Sequence, residues 1–354
     1  MRKKLSFRKG NEAIAEAAVQ AGCRFYAGYP ITPQNEIPEY MARRMPEVEG
    51  VFIQAESEIA SINMVYGASA AGVRAMTSSS SPGISLMQEA ISFLAGAELP
   101  AVIVNIQRGG PGLGNITASQ GDYFQAVKGG GHGDYRCLVY SPFNVQEMWD
   151  LTMRAFDKAD EYRTPVVILG DGVVGQMMEP FHPTKYVRPR LPKKDWILNG
   201  CKGRRPRVVR SLCMGQGELE QKNYVLCRKY DLIRKKEVMF DEHDTEDAAL
   251  LVVAFGIAAR IALSAVQELR KEGKKVGLFR PVTLFPFPEK RIAEMARKGK
   301  KFMVVEMNAG QMVEDVRLAV NGAANVVFYG RPGGVVFTPE ELYDKIKAEY
   351  GRRK

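Results

Sequence analysis

Six short apolar runs alternate with helical stretches between Cys23 and Leu169: Cys23–Ala27, Val51–Ala55, Val73–Thr77, Pro100–Ile106, Cys137–Tyr140 and Pro165–Leu169. Runs this short, bounded by glycine, proline and polar clusters, read as buried strands. The segments between them read as helices: Asn11–Gly22, Asn35–Met45, the stretch after Ala55, Ile84–Ala95 and Asn144–Tyr162. Gly22 suits a C-cap, and Asn144-Val-Gln-Glu147 has the form of a capping box. Buried strands separated by single helices predict a parallel sheet covered on both faces.

From Pro183 to Asp247 the alternation fails, and proline, arginine and lysine dominate. Between Lys185 and Lys236 there are 16 Lys and Arg against 4 Asp and Glu, so this block carries +12 of a chain whose net charge is +10. A basic block of this kind suits an acidic partner or a solvated surface. It lacks the interleaved aromatics and motifs of a nucleic-acid binder, so no nucleic acid is expected. The alternation resumes at Ala249, and Thr338-Pro-Glu-Glu starts a last helix with a threonine cap. The expected division is residues 1–182, a connection over 183–247, and a smaller open α/β domain over 248–354. No run approaches the 18 or so apolar residues of a membrane span, and the basic start is not followed by an apolar segment. A cytoplasmic protein without membrane association is expected. The five cysteines form no C-x-x-C pair, which predicts free thiols and places any iron–sulfur cluster on another chain.

In an open parallel sheet, ligands bind beyond the carboxyl ends of the strands. The loops there should carry Tyr29-Pro-Ile-Thr32, Glu56 with Glu58, Ser78 to Ser81, and Arg108 with its glycine-rich Gly109–Gly114 loop. A guanidinium and a threonine hydroxyl suit a small carboxylate, and a glutamate nearby suits acid–base work. The helix after Glu58 is small-sided (Ala60, Ser61, Gly67 to Gly72), which lets a flat ligand or another backbone come close. These residues point to chemistry on a small anionic substrate and do not by themselves name the reaction. The alternative is that the carboxylates only cap a helix.

The motifs Gly28-Tyr-Pro-Ile-Thr-Pro33, Gln54-Ala-Glu-Ser-Glu58, Thr77-Ser-Ser-Ser-Ser-Pro-Gly83 and Val104-Asn-Ile-Gln-Arg-Gly-Gly-Pro111 resemble the alpha subunit of 2-oxoacid:ferredoxin oxidoreductases. The resemblance covers nearly the whole chain and includes Gly129–Tyr135, Leu169–Gly172, Arg280–Pro288 and Val305–Gln311. It is strongest with the branch acting on 2-ketoisovalerate, with the 2-oxoglutarate enzyme second. It implies a parallel-sheet, pyrimidine-binding thiamine diphosphate domain followed by a transketolase C-terminal-like α/β domain. It implies oxidative decarboxylation of a 2-oxoacid, with coenzyme A as acyl acceptor and ferredoxin as electron acceptor. The thiamine site would be shared with a beta subunit, with Mg²⁺ and iron–sulfur clusters on partner chains, among them gamma and ferredoxin-like delta subunits. Residue by residue, Glu58 would hydrogen-bond the aminopyrimidine N1′, the contact that readies the cofactor's 4′-nitrogen to take a proton. Ser79 and Ser80 would line the cofactor, and Thr32 and Arg108 would hold the substrate. Glu56 would assist or only cap. A non-catalytic assembly subunit is the competing reading.

Three motifs read as decoys. Gly170-Asp-Gly172 with Asn199 imitates a thiamine metal motif, but the interval is rich in proline and lysine and shows no helix. His132, in Gly129-Gly-Gly-His-Gly133, suits a proton relay by its titration range, and equally a structural hydrogen bond. The Gly109–Gly114 loop lacks a dinucleotide fingerprint and reads chiefly as a turn that positions Arg108.

Overall fold

The computed structural model describes residues 5–352. The first part runs β1 (Ser6–Lys9), α1 (Gly10–Gln20), β2 (Phe25–Gly28), α2 (Glu36–Glu47), β3 (Val51–Gln54), α3 (Glu58–Ala70), β4 (Ala75–Ser79) and α4 (Ser81–Gly96). It continues through β5 (Ala101–Gln107), α5 (Tyr123–Val127), β6 (Leu138–Tyr140), α6 (Val145–Tyr162), β7 (Pro165–Asp171), α7 (Gly172–Gln176) and β8 (Met178–Phe181). After a long strap come α8 (Glu218–Lys236), β9 (Phe240–His243), β10 (Leu250–Val253), α9 (Gly256–Lys271), β11 (Val276–Pro281) and β12 (Thr283–Phe285). The chain ends with α10 (Glu289–Arg297), β13 (Lys301–Glu306), α11 (Met312–Val320), β14 (Val326–Gly330) and α12 (Pro339–Gly351).

The first sheet has the order β12-β6-β7-β5-β4-β2-β3. Every residue of β5 and β7 is buried, as expected for central strands with helices on both faces. The chain leaves β2 for β3 on one side and returns to β4 on the other. This reversal opens a crevice above the carboxyl ends of β2 and β4. The second sheet, β14-β13-β10-β11-β9, is parallel apart from β9. β1 and β8 form a separate antiparallel pair.

All six expected strands of the first sheet are present, but three features depart from the sequence reading. The edge strand β12 comes from the far side of the connection and pairs antiparallel with β6, so the two sheets do not divide cleanly in sequence. The segment expected as a weakly structured connection contains the 19-residue helix α8 and the strand β9. In α8 only Leu226, Tyr230 and Ile233 are buried, among nine charged residues. A stripe that narrow is hard to see as a 3.6-residue period. The expected loop Ser78–Gly83 is instead the end of β4 and the first turn of α4.

The strap before α8 crosses the amino edge of the sheet. Leu198 N–H donates to Ala70 O at 2.8 Å, and Lys194 Nζ donates to Gly72 O at 3.1 Å. Gly72 has φ +92, and a Cβ there would lie 2.6 Å from the Ile197 side chain. Both the left-handed backbone and the strap therefore require glycine at this position.

The two domains are joined by buried polar contacts. Arg280, fully buried, donates to both carboxylate oxygens of Glu147, at 2.9 and 2.5 Å, and also pairs with Asp241. Gln120 donates from Nε2 to Phe255 O at 2.7 Å and accepts from Met307 N–H at 3.0 Å. No helix among the described residues is long and apolar enough to cross a membrane.

Candidate active site

Glu58 opens α3, but it does not cap it. Ser57 is the N-cap: its hydroxyl accepts from Ala60 N–H at 3.2 Å. With the cap supplied by its neighbour, the Glu58 carboxylate is left to point inward. It is 6% exposed, whereas Glu56 lies on the exposed surface. Its protein partner is the Ser79 hydroxyl, 3.5 Å from Oε1, a long and weak contact. A buried carboxylate accepts several hydrogen bonds, so Glu58 retains most of its accepting capacity.

Gly83 explains how the carboxylate fits. A Cβ on this glycine, in the first turn of α4, would lie 2.1 Å from Ser79 Oγ and 2.4 Å from Glu58 Oε1. With a side chain at this position the Glu58 and Ser79 side chains would have to move, so Gly83 allows Glu58 its present position. The sequence reading assigned Gly83 no role, and nothing local to it carries the signal. Ser80, the N-cap residue of α4, keeps a buried hydroxyl with no hydrogen-bond partner.

Thr32 and Arg108 meet at this edge. Arg108 Nη1 donates to Thr32 O at 3.0 Å, and Nη2 donates to Leu113 O at 3.0 Å. The contact runs through the threonine carbonyl. Its hydroxyl accepts from Asn35 Nδ2 at 3.3 Å. The Arg108 Nε is buried without a partner. An unpaired buried donor costs about 1–3 kcal/mol. The guanidinium is not the fully open fork expected from sequence, since two of its N–H donors already hold backbone. The Ser81 hydroxyl accepts from Arg108 N–H at 3.0 Å. Gly114 (φ +61) folds the loop so tightly that a Cβ there would lie 1.7 Å from Gly109 O. The Gly109–Gly114 loop therefore acts as a turn that holds Arg108.

A buried chain of hydroxyls supports the Thr32 loop from below. Tyr26 and Ser78 share a hydrogen bond of 2.6 Å, and Ser78 donates to Gln34 Oε1 at 2.5 Å. Gln34 Nε2 then donates to Tyr29 O at 3.3 Å. At the end of β5, Asp122 accepts from Asn105 Nδ2 at 2.8 Å, and burial raises its carboxyl above the ordinary range. The sequence reading named Tyr29 and Ser78 at this edge but passed over Tyr26, Gln34, Asn105 and Asp122, which become visible only through partners such as Tyr26–Ser78 and Ser78–Gln34 that are distant in the chain.

The decoys resolve on contacts. Asp171 accepts from Val173 N–H and Val174 N–H at 3.0 Å each, and from Ile257 N–H of the second domain at 3.1 Å. It caps α7 and reaches the first turn of α9. Asn199 lies on the exposed strap and accepts from Arg204, so the two residues do not converge. His132 is exposed and precedes β6, which puts it at the amino edge of the sheet, opposite Glu58. The relay reading has no geometric support.

The comparisons with known families name the class of this first domain: a thiamine diphosphate-binding domain. The family described as pyruvate flavodoxin/ferredoxin oxidoreductase, thiamine diphosphate-binding, matches residues 16–225, and pyruvate:ferredoxin oxidoreductase core domain II matches residues 248–342. The chain belongs to the 2-oxoacid:ferredoxin oxidoreductase family. It is 52% identical over 343 residues to the ketoisovalerate oxidoreductase subunit VorB of Methanothermobacter thermautotrophicus, covering 97% of each chain. It is 39% identical over 369 residues to the 2-oxoglutarate synthase subunit KorA of the same organism, covering 96% of this chain and 97% of KorA. Among solved structures, a 2-oxoglutarate:ferredoxin oxidoreductase chain from Magnetococcus marinus superposes with a TM-score of 0.85 at 27% identity. The match spans 98% of this chain and 66% of that longer one. A split-gene transketolase, 14% identical over 96% of this chain and 97% of that one, shares the fold at a TM-score of 0.61.

Proposed function

We propose that this chain is the alpha subunit of a thiamine diphosphate-dependent 2-ketoisovalerate:ferredoxin oxidoreductase. The observation that carries the reading is Glu58: buried, relieved of capping by Ser57, given room by Gly83, and short of hydrogen-bond partners. An aminopyrimidine fits that vacancy. Its N1′ would bond the Glu58 carboxylate, and the orphan Ser80 hydroxyl and Ser79 would line the ring. When bound, thiamine diphosphate supplies a nucleophilic thiazolium carbon and accepts the electrons released by decarboxylation. Glu58, at a helix N-terminus whose dipole favours a carboxylate, would hydrogen-bond N1′ and so help the 4′-nitrogen to act as a base. Arg108, through the N–H donors not committed to Thr32 and Leu113, would orient the oxoacid carboxylate beside Thr32.

The diphosphate and Mg²⁺ half of the site would come from a beta subunit, with gamma and ferredoxin-like delta subunits completing the assembly. Clusters on those partners would pass electrons to ferredoxin, and coenzyme A would take the acyl group. Ketoisovalerate is preferred over 2-oxoglutarate because identity to VorB exceeds identity to KorA over nearly the same span of the chain. The test is an assay of the natively purified complex for bound thiamine and for dye reduction across a panel of 2-oxoacids with coenzyme A. The highest kcat/KM should fall on 2-ketoisovalerate. A preference for 2-oxoglutarate would overturn the substrate assignment, and a complex without thiamine would favour a non-catalytic assembly role.

A further inference from the structure

The edge of the first sheet opposite Glu58 carries a groove that the thiamine reading does not use. β12 runs antiparallel to β6, so the residues after Phe285 lie at that amino edge, where Arg136 also sits just before β6. Here a cavity of about 400 Å³ opens between α8, the β12–α10 turn and the loop before β6. A second hollow, of about 620 Å³, continues from it between α10 and α11, sharing Phe287, Glu289, Lys290 and Asp315. The two form one elongated trough.

The trough is basic along its walls and apolar on its floor. Arg136, Lys235 and Lys290 line the first cavity and Arg297 the second, and none of the four pairs with a carboxylate among the described residues. Arg136 Nη1 donates only to the backbone carbonyls of Lys128 and Tyr135. Lys235 belongs to the last turn of α8, so the basic block seen in the sequence ends inside this groove. The floor is formed by Phe285, Pro286, Phe287 and Pro288, and Leu318 is 74% exposed in the continuation.

We infer that this trough is a docking site for an extended acidic segment, with interspersed apolar side chains, of a partner subunit. Charge complementarity names the chemistry. Four cations without acids, three lining the first cavity and the fourth its continuation, suit carboxylates spaced along a chain. The aromatic and proline floor suits apolar anchors between them. A compact phosphate ligand fits less well. Glu289 already places a carboxylate in the first turn of α10, and Asp315 interrupts the positive surface while holding Lys128 and Tyr123. A protein partner is in keeping with the relatives, which are named as subunits. The surface lies across the sheet from Glu58, so the inference stands or falls separately from the cofactor assignment.

The test uses the natively purified complex and a zero-length carbodiimide, which joins lysine amines to carboxylates in contact. Lys235 and Lys290 should link to Asp or Glu of one co-purifying subunit. In parallel, Arg136→Glu/Lys235→Glu/Lys290→Glu should bind that subunit at least tenfold more weakly at low salt than the parent, with the gap to the parent narrowing as salt rises. The charge-matched control Arg190→Glu/Lys202→Glu/Arg205→Glu, on the exposed strap, should not. Links from Lys202 but none from Lys235 or Lys290 would overturn the inference. So would undiminished binding by the triple variant, or protection of the groove lysines by a nucleotide or an RNA homopolymer. Should the triple variant not fold, the cross-links on the unmodified complex decide.

Discussion

Glu58 and Asp171 stand at the same edge of the same sheet, each buried and each at the start of a helix, yet their surroundings are opposite. Asp171 accepts three backbone N–H bonds drawn from two domains. Glu58 has a serine hydroxyl at 3.5 Å, and its helix is capped by the residue before it. A buried acceptor that the fold fully satisfies is a structural joint. One that the fold shelters and leaves short of donors is a site for something else. The glycines facing them, by comparison, act alike. Gly256 (φ +52) would bring a Cβ within 3.2 Å of Asp171 Oδ2, so it lets a helix of the second domain close on the carboxylate. A Cβ on Gly83 would lie 2.4 Å from Glu58 Oε1, so this glycine likewise lets a helix close on its carboxylate.

The comparison can be broken most directly at Glu58. Glu58→Gln in the reconstituted complex should lower kcat by roughly 10²–10⁴-fold, the usual range for a positioned acid–base group, with subunit assembly intact on size exclusion. Normal turnover in this variant would falsify the cofactor assignment. Gly83→Ala comes next: its methyl group would displace the Glu58 and Ser79 side chains, so thiamine retention and kcat should both fall by about tenfold or more. A fully active Gly83→Ala enzyme would mean that this position of the Glu58 carboxylate is not needed for turnover. Arg108→Ala should act mainly through binding, raising KM for the oxoacid with a smaller change in kcat. An unchanged KM would put the substrate carboxylate elsewhere.

The smallest effect is expected at the joint. Burial pushes the Asp171 carboxyl up to about 6 despite its three amide donors. Between pH 4 and 6 the native state then holds a proton that the unfolded chain has released, so this group's contribution to stability declines as pH rises through that window. Asp171→Asn should flatten that part of the profile, by at most about 3 kcal/mol, in melting experiments across pH 4–7. At neutral pH, kcat should change little. A large loss of kcat with an unchanged pH–stability curve would reverse the roles assigned to the two carboxylates.

The polarity of the amino edge offers a similar contrast within the basic block. Lys222 and Lys229 of α8 pair with Glu98 on the body of the domain, whereas Lys235, about two turns further on, forms no ion pair among the described residues. The sequence shows both as members of one charged run, and only packing separates an anchor from an open cation.

What was legible in the sequence was whatever depends on neighbours in the chain. Apolar runs such as Pro100–Ile106 mark buried strands because both faces of a parallel strand must leave water. Thr338 and Asn144 mark helix starts because a cap reaches amides only two or three residues away. The chain order of the strands also placed Thr32, Glu58, Ser79 and Arg108 on one edge before any coordinates. Contacts between distant residues were decided by tertiary structure alone. That Ser57 and not Glu58 caps α3 depends on side-chain direction. That Gly83 faces Glu58, that Gly256 closes on Asp171, and that β12 crosses into the first sheet depend on how the helices and domains pack. Residue types record what a side chain can do locally, and only the packed fold determines which donors reach it and which are withheld.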